Sequence, residues 1–104
     1  LDIHGTEDVL MKYGGGRQHG VHYHSVKKSL RGIAKENGCN PFPKRRRKEA
    51  VEHFTWRVCD ARTEQYTIHG GTHTWNGGAT DHSGLVKAEW TTDTVLDFFH
   101  IAHP

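Results

Sequence analysis

The sequence is short of apolar residues and has no long apolar run. No stretch approaches the ~20 consecutive apolar residues that a helix needs to span a bilayer, which excludes a membrane-spanning helix. Hydrophobic residues make up 34% of the 104 residues and the mean hydropathy is −0.78. Both values are low for an independent core, and the length allows one small domain at most. Cysteine is scarce: Cys39 and Cys59 are the two present, and without Cys-x-x-Cys spacing they do not suggest zinc. Nor does charge of one sign dominate. The net charge is +2, and much of the positive charge sits in one run, Lys44-Arg45-Arg46-Arg47-Lys48. Outside that run the balance is mildly acidic, unlike a generally basic, nucleic-acid-binding chain. An initiator methionine and a signal-peptide pattern are missing from the start. Leu1-Asp2-Ile3-His4 reads as the tail of a strand already under way, so truncation on the N-terminal side is expected, with any targeting signal in the absent part.

What is present follows an orderly sequence. After the strand end, Gly5-Thr6-Glu7-Asp8 is a turn signal carrying two carboxylates. In open α/β sheets ligands meet the loops at the carboxyl ends of strands, which makes Asp8 a candidate site residue; the alternative is an Asx turn or a helix cap. Val9-Leu10-Met11 is expected to pack under the turn, and Tyr13-Gly14-Gly15-Gly16 to be a flexible connection. A helix is predicted over residues 20–37, with Tyr23, Val26, Leu30, Ile33 and Ala34 as its buried stripe and Asn37-Gly38 as its C-terminal signal. His19, His22 and His24 cluster near its start. Their spacing and lack of an adjacent acid or thiol favour solvated helix-end histidines over a metal site. The basic run reads either as a polyanion contact or localisation signal, or as a solvated loop between two elements; the loop is the expectation.

Residues 51–58 alternate, with Phe54, Trp56 and Val58 on one side and His53, Thr55 and Arg57 on the other, which predicts a half-buried strand. A turn at residues 60–62 and a strand over residues 63–68 complete an antiparallel hairpin. Cys39 and Cys59 fit one disulfide, implying an oxidising compartment, or else two free buried thiols. Residues 79–90 form a polar, irregular loop. A terminal helix starts near Thr91 or Thr92, either able to act as N-cap, with Asp93 in its first turn. Its stripe of Val95, Phe98, Phe99 and Ala102 is expected to dock on a sheet.

The chain is organised around Ile68-His69-Gly70-Gly71-Thr72-His73-Thr74-Trp75-Asn76-Gly77-Gly78. Glycine pairs on both sides let the backbone turn sharply, so the turn can present His73 rather than pack it. A carboxylate after one strand, a crossover helix, a last strand, a histidine turn and a closing helix match the order of the C-terminal third of an α/β-hydrolase. There the histidine takes a proton from a serine hydroxyl, and the acid fixes its tautomer and stabilises the imidazolium.

These segments resemble the polyhydroxybutyrate depolymerase-like esterases, close to the feruloyl and acetylxylan esterases of the same fold. The resemblance rests on Ile3-His4-Gly5-Thr6-Glu7-Asp8 with Tyr13, on Asn37-Gly38-Cys39, on Tyr66-Thr67-Ile68 through Thr72-His73-Thr74-Trp75, and on Asp97-Phe98-Phe99 with His103-Pro104. It implies a single partial domain over residues 1–104, the C-terminal part of an α/β-hydrolase. It implies Asp8 as catalytic acid, His73 as catalytic base, Trp75 and Tyr13 as substrate-binding residues, and a Cys39–Cys59 disulfide. It also implies a polyester or plant cell-wall ester as substrate and, with the cysteine pair, a secreted or periplasmic location; no cofactor or metal and no nucleic-acid or membrane partner is expected.

Thr72, Asn76 and Lys12 depart from the family pattern, at positions that bear on loop rigidity more than on chemistry. No Gly-x-Ser-x-Gly occurs, and Ser25, Ser29 and Ser83 are the only serines. None sits on an elbow, so the nucleophile is expected in the missing N-terminal part of the domain, and the isolated chain is expected to be inactive and marginally stable or associating. The alternative is a non-catalytic module that binds a polysaccharide or polyester through Trp56, Trp75, Trp90 and Tyr13. A histidine-rich metal-binding domain is the third and weakest reading.

Overall fold

The computed structural model describes residues 1–100. These form six strands and two helices: β1 (Asp2–Gly5), β2 (Gly16–Gln18), β3 (Val21–Tyr23), α1 (Val26–Glu36), β4 (Lys44–Lys48), β5 (Val51–Thr55), β6 (Glu64–Ile68) and α2 (Trp90–Phe98). The main sheet has the order β1-β6-β5-β4. β1 runs parallel to β6, while β6, β5 and β4 are successively antiparallel, so the architecture is mixed α/β with a mixed sheet.

Helix α1 covers one face of the β5–β6 ladder. Val26, Leu30 and Ala34, spaced four apart, are buried with Trp56, and Tyr13, Phe54, Cys39 and Cys59 pack around them. Ser25 caps the helix, its hydroxyl accepting from the Lys28 N–H at 3.1 Å. At the other end Gly38 has φ +68, and the Cys39 N–H returns to the Ala34 carbonyl at 2.9 Å. Asn37-Gly38 therefore ends the helix as the sequence implies. Cys39 and Cys59 form a disulfide that ties this helix end to the chain leading into β6.

The helix begins later than the predicted residue 20. His19 (φ 51) and Gly20 (φ 77) occupy the two central positions of a tight turn, flanked by the Gln18–Val21 pair of the β2–β3 hairpin. Two successive positive-φ residues are what a two-residue hairpin turn requires, and they rule out helix there. Tyr23 thus belongs to a strand, Ile33 is exposed, and His19 and His22 are hairpin rather than helix-end histidines. Val9 and Leu10 do not pack under the turn either: they are 76% and 56% exposed, and Met11 is also exposed.

The basic run is not a loop. Lys44–Lys48 is an edge strand, paired residue for residue with β5 and exposed along its whole length. Five consecutive cations on an unpaired outer edge repel a second strand, which is how natural sheets keep such edges from pairing with one another. Arg45 is anchored on the buried carboxylate of Glu52, which also accepts from His69 Nε2 at 2.9 Å. Phe54 and Trp56 share one side as expected, and that side faces α1, but Val58 does not join them: it has φ 58 and is 85% exposed.

Helix α2 starts after Glu89, whose φ is 63 and which makes no side-chain capping bond. Neither threonine caps it. Thr91 donates to the Asn76 carbonyl at 2.6 Å, and Thr92 accepts from the Trp75 indole at 3.0 Å. Both hydroxyls hold the preceding loop instead. Val95 and Phe98 are half-buried and Phe99 is exposed, so the docked stripe is narrower than its spacing suggests. Ala102, His103 and Pro104 lie outside the described residues.

Candidate active site

Parallel pairing of β1 with β6 brings their carboxyl ends to the same sheet edge, Gly5 opposite Ile68. The loops that follow are stitched together. Thr6 N–H donates to the Ile68 carbonyl at 3.0 Å, Glu7 N–H to the Gly71 carbonyl at 2.9 Å, and Gly70 N–H to the Thr6 hydroxyl at 2.8 Å. Gly5 permits this approach, because a Cβ there would overlap the Gly71 carbonyl. Gly5→Ala is therefore expected to push the two loops apart, destabilise the fold by about 1–3 kcal/mol and break the contact they support. Denaturant melts and the His73 imidazole chemical shifts would report it, and an unchanged midpoint would refute this account of Gly5.

The supported contact joins the two residues singled out in the sequence. Asp8 is 6% exposed. Its Oδ1 accepts from the backbone N–H groups of Leu10 at 2.9 Å and Met11 at 2.8 Å, an Asx-type turn. Its Oδ2 lies 2.8 Å from His73 Nδ1. The two readings of Asp8 are therefore compatible: one oxygen builds the turn and the other meets the imidazole. Burial pushes the Asp8 carboxyl up, but the Met11 N–H, the His73 side chain and the Leu10 N–H more than offset it, and the group is held below its ordinary value. Asp8 is thus ionised near neutrality and can only accept, so Nδ1 of His73 carries the proton. Nε2 is the ring nitrogen left outside that contact, with no hydrogen-bond partner among the described residues. The side chain is 52% exposed, so this nitrogen can be reached.

His4 was not among the expected site residues. Its Nε2–H donates to the Met11 carbonyl and stands 3.3 Å from Asp8 Oδ2. It thereby clamps the loop whose amides hold Asp8. The available signal was positional: His4 lies on the same strand end, one residue before the glycine of the close approach.

A cleft of about 370 Å³ opens beside the pair, lined by Ile3, His4, Gly5, Asp8 and residues 72–76. Trp75 is on its wall, oriented by the indole bond to Thr92. Tyr13, expected to bind substrate, does not line it. Its hydroxyl is 3.1 Å from that of Thr67 and its ring meets His4 edge-on at 6.0 Å, so it buttresses the sheet from the α1 side. The four aromatics proposed as a binding platform are likewise dispersed. Trp56 is in the core, Trp90 packs edge-on against Tyr66 at 5.3 Å, and Trp75 alone lines the cleft.

None of the three serines lines the cleft. Ser25 caps α1, and Ser83 donates to Asp81 at 2.6 Å. No group of three or more metal-ligating side chains occurs among the described residues. His22 accepts a hydrogen bond from Arg17 at 2.8 Å. Searches against family models, curated proteins and solved structures gave no match to this chain.

Both Asp8 and Glu52 are held below their ordinary values. At Glu52 burial is outweighed by the His69 hydrogen bond and the Arg45 charge. A carboxyl lowered by folding contributes stability that is complete above its unfolded pKa and disappears as pH falls through the lower folded value. Thermal stability should therefore decline as pH falls below the ordinary values of 4.5 and 3.8. Melting curves followed by circular dichroism between about pH 6 and about pH 2.5 would show this acid limb, and Asp8→Asn should make it shallower. An equally steep limb in the variant would remove Asp8 from the explanation.

Proposed function

We propose that this chain supplies the acid and the base of a serine-type carboxylic-ester hydrolase, within the C-terminal part of an α/β-hydrolase domain. The substrate class is a polyhydroxyalkanoate or a feruloyl or acetylated cell-wall ester. The observation that carries the reading is the 2.8 Å contact between His73 Nδ1 and an ionised, buried Asp8. That contact leaves Nε2 available on a cleft at the carboxyl ends of two adjacent parallel strands.

In the reaction Nε2 of His73 takes the hydroxyl proton of a serine as its oxygen attacks the ester carbonyl. Asp8 stabilises the imidazolium, which then passes the proton to the departing alkoxide. Water, deprotonated by the same nitrogen, releases the acyl group. The serine and the oxyanion donors come from residues outside these 104. The Cys39–Cys59 disulfide supports an oxidising, extracytoplasmic compartment.

The test uses the polypeptide that carries the nucleophile. A fluorophosphonate should label one serine rapidly, and His73→Ala should slow the labelling by orders of magnitude. The 104-residue chain alone should hydrolyse p-nitrophenyl butyrate no faster than free imidazole. Labelling that is indifferent to His73, or esterase turnover by the isolated chain that is lost in His73→Ala, would overturn the assignment.

A further inference from the structure

The carboxylate that meets His73 also meets a second imidazole. His4 Nε2 lies 3.3 Å from Asp8 Oδ2, the same oxygen that His73 Nδ1 approaches at 2.8 Å. The Met11 carbonyl, the other neighbour of His4 Nε2, can only accept, so that nitrogen carries the hydrogen. Asp8 is thus held by four groups: Oδ1 accepts from the Leu10 and Met11 amides, and Oδ2 meets both imidazoles. The plane of an Asp carboxylate turns about a broad torsion, so these partners decide where Oδ2 points.

The four are not equally well mounted. His4 stands on β1, where it pairs with Thr67 of β6, and its side chain is mostly buried. Its ring meets Tyr13 edge-on, and the Tyr13 hydroxyl reaches that of the fully buried Thr67. The amide donors belong to residues 9–11, whose side chains are exposed and give the loop no apolar anchor. His73 is half exposed on a glycine-rich turn. His4 therefore ties two sparsely packed loops to the sheet, because one nitrogen serves both Met11 and Asp8.

We infer that His4 is a positioning residue for the Asp8–His73 pair. Its Nε2–H fixes the carboxylate plane so that Oδ2 holds Nδ1 of His73. It acts through Asp8 and takes no proton from substrate. Tyr13 belongs to the same support, behind His4 rather than in the cleft. The catalytic consequence rests on the esterase reading proposed above; the orientation of the pair does not.

Two substitutions separate the donor from the ring. His4→Phe keeps a ring against Tyr13 and loses the N–H, whereas His4→Gln loses the ring and offers an N–H near the place of Nε2. In the polypeptide that carries the nucleophile, His4→Phe should lower kcat on p-nitrophenyl butyrate between about tenfold and about a hundredfold, with KM within about twofold. His4→Gln should stay within about threefold of wild type, and melting curves establish that each variant is folded. A second measurement needs no variant. Nitrogen shifts read from the ring protons of the 104-residue chain at alkaline pH should show hydrogen on Nε2 of His4 and on Nδ1 of His73. His4→Gln should keep that His73 tautomer, and His4→Phe should give a mixture. Turnover indifferent to both Asp8→Asn and His73→Ala would sink the esterase reading, and the tautomers would still decide whether His4 orients the pair. Turnover lost in those two variants but intact in a folded His4→Phe would sink the positioning role alone. Equal losses in His4→Phe and His4→Gln, an effect on KM only, or hydrogen on Nδ1 of His4 would each overturn it as well.

Discussion

Asp8→Asn should lower kcat by about four orders of magnitude in the polypeptide that carries the nucleophile, with little change in KM. The substitution keeps the shape of the side chain. Its Oδ1 can still accept from Leu10 and Met11, so the loop should hold its course. What changes is the partner offered to His73. An amide nitrogen at the Oδ2 position donates, so Nδ1 becomes the acceptor and the proton moves to Nε2. The imidazole then faces the cleft with no lone pair to take a proton. His73→Ala removes the proposed base outright and should cost at least as much. Steady-state kinetics on p-nitrophenyl butyrate, beside a melting curve for each variant, separate lost chemistry from lost structure. A kcat within tenfold of wild type in a folded Asp8→Asn protein would reduce the pair to a structural contact.

The second large effect concerns stability. Replacing Cys39 and Cys59 by alanine should destabilise the chain by about 3 kcal/mol, from the entropy of a closed loop whose ends are 20 residues apart. That is a large share of the ~5–15 kcal/mol that holds a small domain. Here it weighs more, because the buried hydrophobic residues are only Val26, Leu30, Ala34, Trp56 and Ile68 among those described. The corresponding fall in Tm is about 12–24 °C for a chain of this size. Reductant added to the wild type should reproduce it. A fall of less than about 2 °C in both would show that the bridge contributes nothing to the folded state.

Some of this was legible in the sequence and some was not, for physical reasons. His73 was readable because it follows a short β-type run and sits among glycines that free the backbone, and Asp8 as a carboxylate that directly follows a strand end. The β5–β6 hairpin was readable from the alternation around Phe54 and Trp56, and the end of α1 from Asn37-Gly38. The β2–β3 hairpin was hidden because Tyr23 falls at helical spacing from Val26 and Leu30. The turn that decides the matter rests on His19 taking a left-handed conformation that side chains seldom adopt. Strand β4 was hidden because five like charges carry no alternation; its partner β5 makes it a strand. Tyr13 and His4 changed importance for a shared reason. Which side of β1 a neighbouring ring falls on depends on long-range packing, and local pattern does not encode it.

The pairing of β1 with β6 spans most of the chain, joining Asp2 to Gln65 and Gly5 to Ile68. Contacts between such distant partners form late, because the intervening loop must be closed before they are rewarded. The Asp8–His73 contact, which lies just beyond this pairing, would then depend on a closure that is slow compared with forming α1 or the β2–β3 hairpin.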